Sequence, residues 1–274
     1  MKTIEGTAIR VEYESKQEAL ARAVCSEGAD VRRRVVDDLG LKAEGEIGIR
    51  LYSSSPAFRE AIGAQKGEII VGIAHSHGDF IEMDASGLLE SPHQILAHEI
   101  THILLQQDLR RNVESLPLWM NEGLAQMEAG PLPVDAKEQL YEIASQGRLP
   151  SLDSLAEAFP EQEQGASLAY LQSQAAVEFL RDRYGIDSLR RLLGLLRDGK
   201  GFQDSFQEAT GVAFPQFQSE WEELLRHRSP WELLFRGGAP FGIWAAAALL
   251  VIYGFLRLRR RWKRKIREWE REGQ

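Results

Sequence analysis

One stretch of this sequence leaves little choice of conformation: E-S-P-H-Q-I-L-A-H-E-I-T-H-I-L-L-Q-Q-D, residues 90–108. Ser91 is a good N-cap, Pro92 suits the first helical position, and Gln94 completes a capping box. Ile95, Leu96, Ile100, Ile103 and Leu104 then recur at helical spacing and supply an apolar face. The helix must therefore start here and bury one side. Within it stands His98-Glu99-Ile100-Thr101-His102. At 3.6 residues per turn, positions 98 and 102 lie ~40° apart around the axis and one turn apart along it. Two imidazoles so placed reach one zinc ion at ~2.0–2.1 Å. Glu99 lies ~100° further round than His98, beside the metal rather than on it, in reach of a water that the metal activates.

Two schemes supply a third ligand. One turns the chain with Gly three residues after the second His and takes a ligand three residues later. Asp108 has that spacing, but Leu105 stands where Gly is needed. The helix runs on and Asp108 rises ~9 Å away from His102, which rejects the scheme. The other takes a Glu from a second helix. Q-Q-D-L-R-R-N-V-E-S-L-P, ending at Pro117, is long enough to reverse the chain, and P-L-W-M-N-E-G-L-A-Q follows. An antiparallel helix there turns Glu122 towards the His pair and completes a His2Glu set with a fourth position open. The other reading of Glu122 alone is a solvated helix residue.

H-E-I-T-H followed by W-M-N-E-G-L-A resembles the gluzincin zinc metallopeptidases, with their HExxH and W-x-x-E-G-x-A, and within them the peptidase MA-like family. L-Y-x-x-x-x-x-F at 51–58, V-G-I-A at 71–74 and A-Y-L-Q-S-Q-A-A-V-E-F-L at 169–180, then R-Y-G-I-D-S-L, extend the resemblance over about residues 4–227. It implies that His98, His102 and Glu122 hold Zn2+, that Glu99 is the catalytic carboxylate, and that a peptide or protein is the substrate. Tyr170 is a candidate for the phenol that stabilises the oxyanion, as a tyrosine does in related gluzincins; the other reading is a tyrosine on a half-buried helix face. The aminopeptidases' G-A-M-E-N has no counterpart before the helix, so N-terminal exopeptidase activity does not carry over.

Weaker candidates remain. His75 and His77 alternate along a strand and either line the cleft, bind a second metal, or flank a turn. His93 is too far back to join His98. Gln126, one turn after Glu122, is a candidate to support the metal ligands from behind, and Trp119 reads as a packing anchor. The lone Cys25 excludes an internal disulfide and reads as a small buried residue.

Around the motif the pattern is α+β. Strands are expected at 4–13, Ile47–Tyr52, Glu68–Ala74 and Phe80–Met83, with helices from Ser15 to about Leu39, ended by Gly40, and after Ser55-Pro56. From 91 onward helices are expected near 91–107, 119–129, 134–146, 152–159, 166–184, 187–198, 202–210 and 215–227. This gives a mixed α/β sheet lobe with the zinc-binding helix pair at 1–130 and a mostly helical lobe at 131–236.

Residues 237–256 carry no charge, and 257–274 hold nine Lys/Arg against three Asp/Glu. Twenty residues of helix span ~30 Å, so 237–256 read as a transmembrane helix. The polybasic 257–274 then stay cytoplasmic and the enzyme domain lies outside the cell. No apolar leader follows Met1, so this topology calls for an upstream extension; the other reading is that the domain before the span is cytosolic. The remaining 256 residues have a net charge of −14. An acidic body of that kind excludes a nucleic-acid partner and leaves the lipid bilayer as partner of the tail. The leading expectation is a membrane-anchored zinc metallopeptidase. The alternatives are an inactive, membrane-tethered interaction module and a zinc hydrolase of a non-peptide amide or ester. Glu99 argues against the module, since a structural zinc site needs no general base.

Overall fold

The computed structural model describes residues 1–64, 71–75, 79–86 and 92–226. Residues 1–86 build the sheet: β1 (Lys2–Glu5), β2 (Ile9–Tyr13), β3 (Ile47–Tyr52), β4 (Gly72–His75) and β5 (Phe80–Asp84). They lie in the order β1-β2-β3-β5-β4. β2, β3 and β5 run parallel; β1 and β4 are antiparallel edges. The single strand expected at 4–13 is thus two. Ala8, at φ 59°, turns the chain, and the Gly6 N–H donates to the Ile9 carbonyl, folding β1 back on β2.

Helix α1 (Glu18–Leu39) packs against β2 and against α3 (Pro92–Leu109), with the short α2 (Ser55–Ile62) beside β3 and β5. Val24, Val31 and Val35 of α1 meet Ile9, Ile49 and Ile81 of the sheet and Leu96 and Ile100 of α3 in one core. That burial keeps α3 fixed beside the edge strand β4.

The helical remainder comprises α4 (Leu118–Ala129), α5 (Val134–Ser145), α6 (Glu163–Tyr184), α7 (Ile186–Arg197), α8 (Phe202–Thr210) and α9 (Phe214–Arg226). The helix expected at 152–159 is a run of turns. Its carbonyls are used elsewhere: Leu155 and Ala156 accept from the N–H groups of Trp119 and Leu118. These are among the first donors of α4, which have no intrahelical acceptor in any helix, and Pro117 at the N-cap offers no side-chain cap. A cap supplied from a distant loop leaves no local sequence signal. Trp119 is fully buried and its ring stacks on Phe214 at 5.9 Å, so it anchors the start of α4 as expected.

α4 also presses on α6. A Cβ on Gly123 would stand 2.4 Å from the Ser173 carbonyl oxygen and 2.7 Å from Val177. Only a residue without a side chain allows that approach, so Gly123→Ala is expected to cost at least about 2 kcal/mol by overpacking. Thermal unfolding checks it: a midpoint within a degree of wild type would show that α4 and α6 can separate at no cost.

Among the described residues no helix is long and apolar enough to cross a membrane. The sequence readings at 237–256 and 257–274, and those for His77 and Ser91, lie outside these residues.

Candidate metal centre

α3 and α4 pack side by side and face His98 and His102 towards Glu122. The two Nε2 atoms are 3.1 Å apart. Glu122 Oε2 is 3.6 Å from His98 Nε2 and 3.5 Å from His102 Nε2. Among the described residues this is the one group of three such side chains whose ligand atoms converge. A tetrahedral ion with ligands at ~2.0–2.1 Å has its ligand atoms ~3.3 Å apart. The three observed separations fit that spacing. Glu122 Oε2 is also buried without a hydrogen-bond partner. A buried carboxylate oxygen left in that state calls for a cation. The donor set therefore suits zinc.

The supports of this set are visible in the sequence motif but not their reasons. Asn121 Oδ1 lies 3.1 Å from His102 Nδ1. It accepts the Nδ1 proton and so leaves the Nε2 lone pair facing the cluster. In the sequence Asn121 is only the first letter of N-E-G, with no sign of that role. Burial, then His102, lowers His98 to about 4 against the pull of Glu122. Burial also opposes the charged form of His102, but Glu122, Glu99 and Asn121 raise it above an ordinary histidine. Burial opposes ionisation of Glu122 as well, and the imidazoles of His102 and then His98 hold it below the usual carboxylate range.

Glu99 is not one of the converging groups. Burial raises its carboxyl, while His102 and the backbone N–H of Ala74 on β4 act in the other direction. β4 comes this close because of Gly72, where a Cβ would stand 2.8 Å from Ile95 Cγ2 and 3.5 Å from Glu99 Cγ. Glu99 and His98 open onto a cleft of about 530 Å³. Gly72, Gln94, Ile95, Gln126, Gly130 and Tyr170 are among its walls. Tyr170 is 36% exposed, with its ring edge-on to Phe159. Burial, then the charges of Glu122 and Glu99, raises its phenol. Gln126 thus faces the cleft.

The other sequence candidates lie elsewhere. Asp108 is buried, accepts from the Lys42 N–H at 2.6 Å and pairs with Arg197 at 2.9 Å. That commits it to clamping the end of α3, in keeping with its rejection as a ligand. His75 pairs with Glu82 at 2.8 Å, and the Tyr52 hydroxyl donates to the same carboxylate. Cys25 is buried, with Sγ 3.7 Å from the Ile9 carbonyl oxygen.

Glu128, near the end of α4, has a side chain only 6% exposed. Burial, then Asp38, raises its carboxyl to about 7, against Arg34 and Arg181. A carboxyl raised on folding contributes stability that is full below its unfolded value near 4.5 and is lost as pH rises through about 7. Glu128→Gln removes that slope. Its thermal midpoint should match wild type below pH 4.5 and exceed it at pH 8 by several degrees, the equivalent of up to about 3 kcal/mol. An equal difference at both pH values would exclude Glu128 ionisation as the cause.

"Uncharacterized protein YhcO" of Bacillus subtilis (strain 168) is 26% identical over 140 residues, which cover 50% of this chain and 42% of that protein. The chain thus matches less than half the length of this relative. A family model, Peptidase MA superfamily, matches residues 29–227. That span runs from α1 to the end of α9 and holds the whole His-His-Glu cluster, so the chain belongs to the peptidase MA superfamily.

Proposed function

We propose that this protein is a zinc-dependent metallopeptidase that hydrolyses peptide bonds, with His98, His102 and Glu122 as metal ligands and Glu99 as general base. The observation that carries the reading is the convergence of three ligand atoms at 3.1–3.6 Å with a fourth ionisable group, Glu99, beside them on the cleft. A binding module has no use for that fourth group.

When bound, zinc supplies Lewis acidity, lowering the pKa of a water towards ~7 and polarising a carbonyl. Glu99 takes the proton of the attacking water and returns it to the departing amine, so that one C–N bond breaks as one C–O bond forms. The Ala74 N–H favours the ionised carboxylate against the burial that opposes it. Tyr170 donates its hydroxyl proton to the carbonyl oxygen as charge gathers there. In this reading residues 1–130 supply the metal ligands and the base, and residues 131–236 supply Tyr170.

The test is hydrolysis of quenched-fluorescence peptides by the purified chain, before and after a chelator. Activity should vanish with the metal and return with added Zn2+. Tyr170→Phe should lose about 10²-fold in kcat, the scale of one oxyanion donor. Hydrolysis that survives complete zinc removal overturns the reading.

The reading extends to anchoring of residues 237–256 in a bilayer, with 257–274 in the cytoplasm and the peptidase domain outside. The support is the uncharged run followed by nine basic residues. A reporter after Gln274 that is active only in the cytoplasm agrees with it; a tail exposed outside intact cells overturns it.

A further inference from the structure

The cleft beside Glu99 is bounded at one end by two helix termini. The first turn of α3 gives Gln94 and Ile95; the last turn of α4 and the chain after it give Gln126, Ala129 and Gly130. α1 contributes no residue to the described lining, yet it carries Arg34, which touches both termini. Arg34 Nη1 is 3.1 Å from His93 Nε2, and Nη2 donates to the Glu128 carbonyl oxygen at 2.8 Å. Arg34 Nε is 3.8 Å from Glu128 Oε2. A guanidinium has no acceptor, so His93 Nε2 must accept. The Nδ1 proton of His93 is then donated to Glu27, back on α1. The Glu128 carbonyl is one of the last of α4, which have few intrahelical donors and favour a cation.

The planar fork of a guanidinium fixes the distance between the two groups it binds. His93 immediately precedes Gln94, and Glu128 immediately precedes Ala129. Whatever sets the distance from His93 to Glu128 also sets the width of the cleft at this end.

We propose that Arg34 is a positioning residue for the substrate: by gripping His93 and Glu128 it sets the gap between the first turn of α3 and the last turn of α4. The gap determines how tightly a peptide side chain is held next to Glu99. This rests on reading the cleft as a peptide-binding site. Arg34 touches neither substrate nor metal. It acts through two neighbours, so it controls binding more than bond cleavage.

The experiment uses the full zinc-loaded chain and two variants, Arg34→Gln and Arg34→Lys. It reads peptide hydrolysis, zinc content and amide hydrogen exchange. Loss of charge-assisted hydrogen bonds predicts a KM about tenfold higher for Arg34→Gln. Its kcat should stay within about threefold and its zinc content should not change. Amide exchange should quicken about tenfold or more at 94–96 and 127–130, and stay at the wild-type rate at 100–104. Arg34→Lys keeps the charge without the fork and should recover only part of the loss. An unchanged KM, a kcat that falls as far as KM rises, or full recovery with Lys overturns the proposal. If the wild type cleaves no peptide, the peptidase reading falls, and exchange at the two helix ends decides on Arg34 alone. Faster exchange at both ends sustains the grip, and exchange at the wild-type rate removes it.

Discussion

Glu99→Gln is expected to keep the fold and the zinc and to lose about 10²–10⁴-fold or more in kcat, the range that a positioned general base supplies. The argument rests on what the amide preserves. Glutamine has the same shape as glutamate, and its carbonyl oxygen still accepts from the Ala74 N–H. The close contact with Gly72 is also kept. The three converging atoms belong to His98, His102 and Glu122, so the metal donors stay whole. Only the capacity to take a proton disappears. Zinc content, thermal midpoint and peptide turnover measured on one preparation separate these effects. If wild type and Glu99→Gln behave alike on every peptide library tried, the hydrolase reading falls and a binding module takes its place.

The second large effect concerns the metal. Wild type should bind about one Zn2+ per chain, the capacity of one His2Glu set. His102→Ala and Glu122→Ala should each weaken binding by more than the ~10²-fold that loss of a supporting partner alone can cause. The Glu122 arm is the more telling one. Its Oε2 is buried and unpartnered, so its removal takes away a cost of the metal-free protein as well as a ligand. Titration with a chromogenic competitor gives the affinities. Added zinc should raise the melting temperature of wild type by mass action and leave that of His102→Ala where it was. Full zinc occupancy in Glu122→Ala would take Glu122 out of the site and turn the search to Glu114. Asp108, already held by Arg197, is not free to replace it.

The residues of the centre were legible in the sequence because their geometry is local. Two imidazoles four apart on one helix can only project together, and Pro117 with W-M-N-E-G announces a second helix. Gly72 and Gly123 were equally visible as letters of V-G-I-A and N-E-G. Their reasons were not, because the atoms they make room for, Ile95 and the Ser173 carbonyl, belong to other elements. Residues 152–159 misled for a similar cause. Their apolar spacing is real, with Leu152 and Leu155 buried, but their carbonyls serve the start of α4. His93 was set aside on distance from His98 alone. Its partner Arg34 lies 59 positions earlier, on a helix whose apolar spacing says nothing about it. Contacts within one turn could be read; those closed by the chain returning from far away could not.

The seating of Gly123 on Ser173 has a temporal consequence during synthesis. Ser173 leaves the ribosome about fifty positions after Glu122. At ~5–20 residues per second that is a delay of seconds. Through that interval His98 and His102 are already translated, yet the wall against which α4 must settle does not exist. The nascent chain therefore meets any metal with an unfinished pocket. The pocket is complete only after α6 has closed over α4.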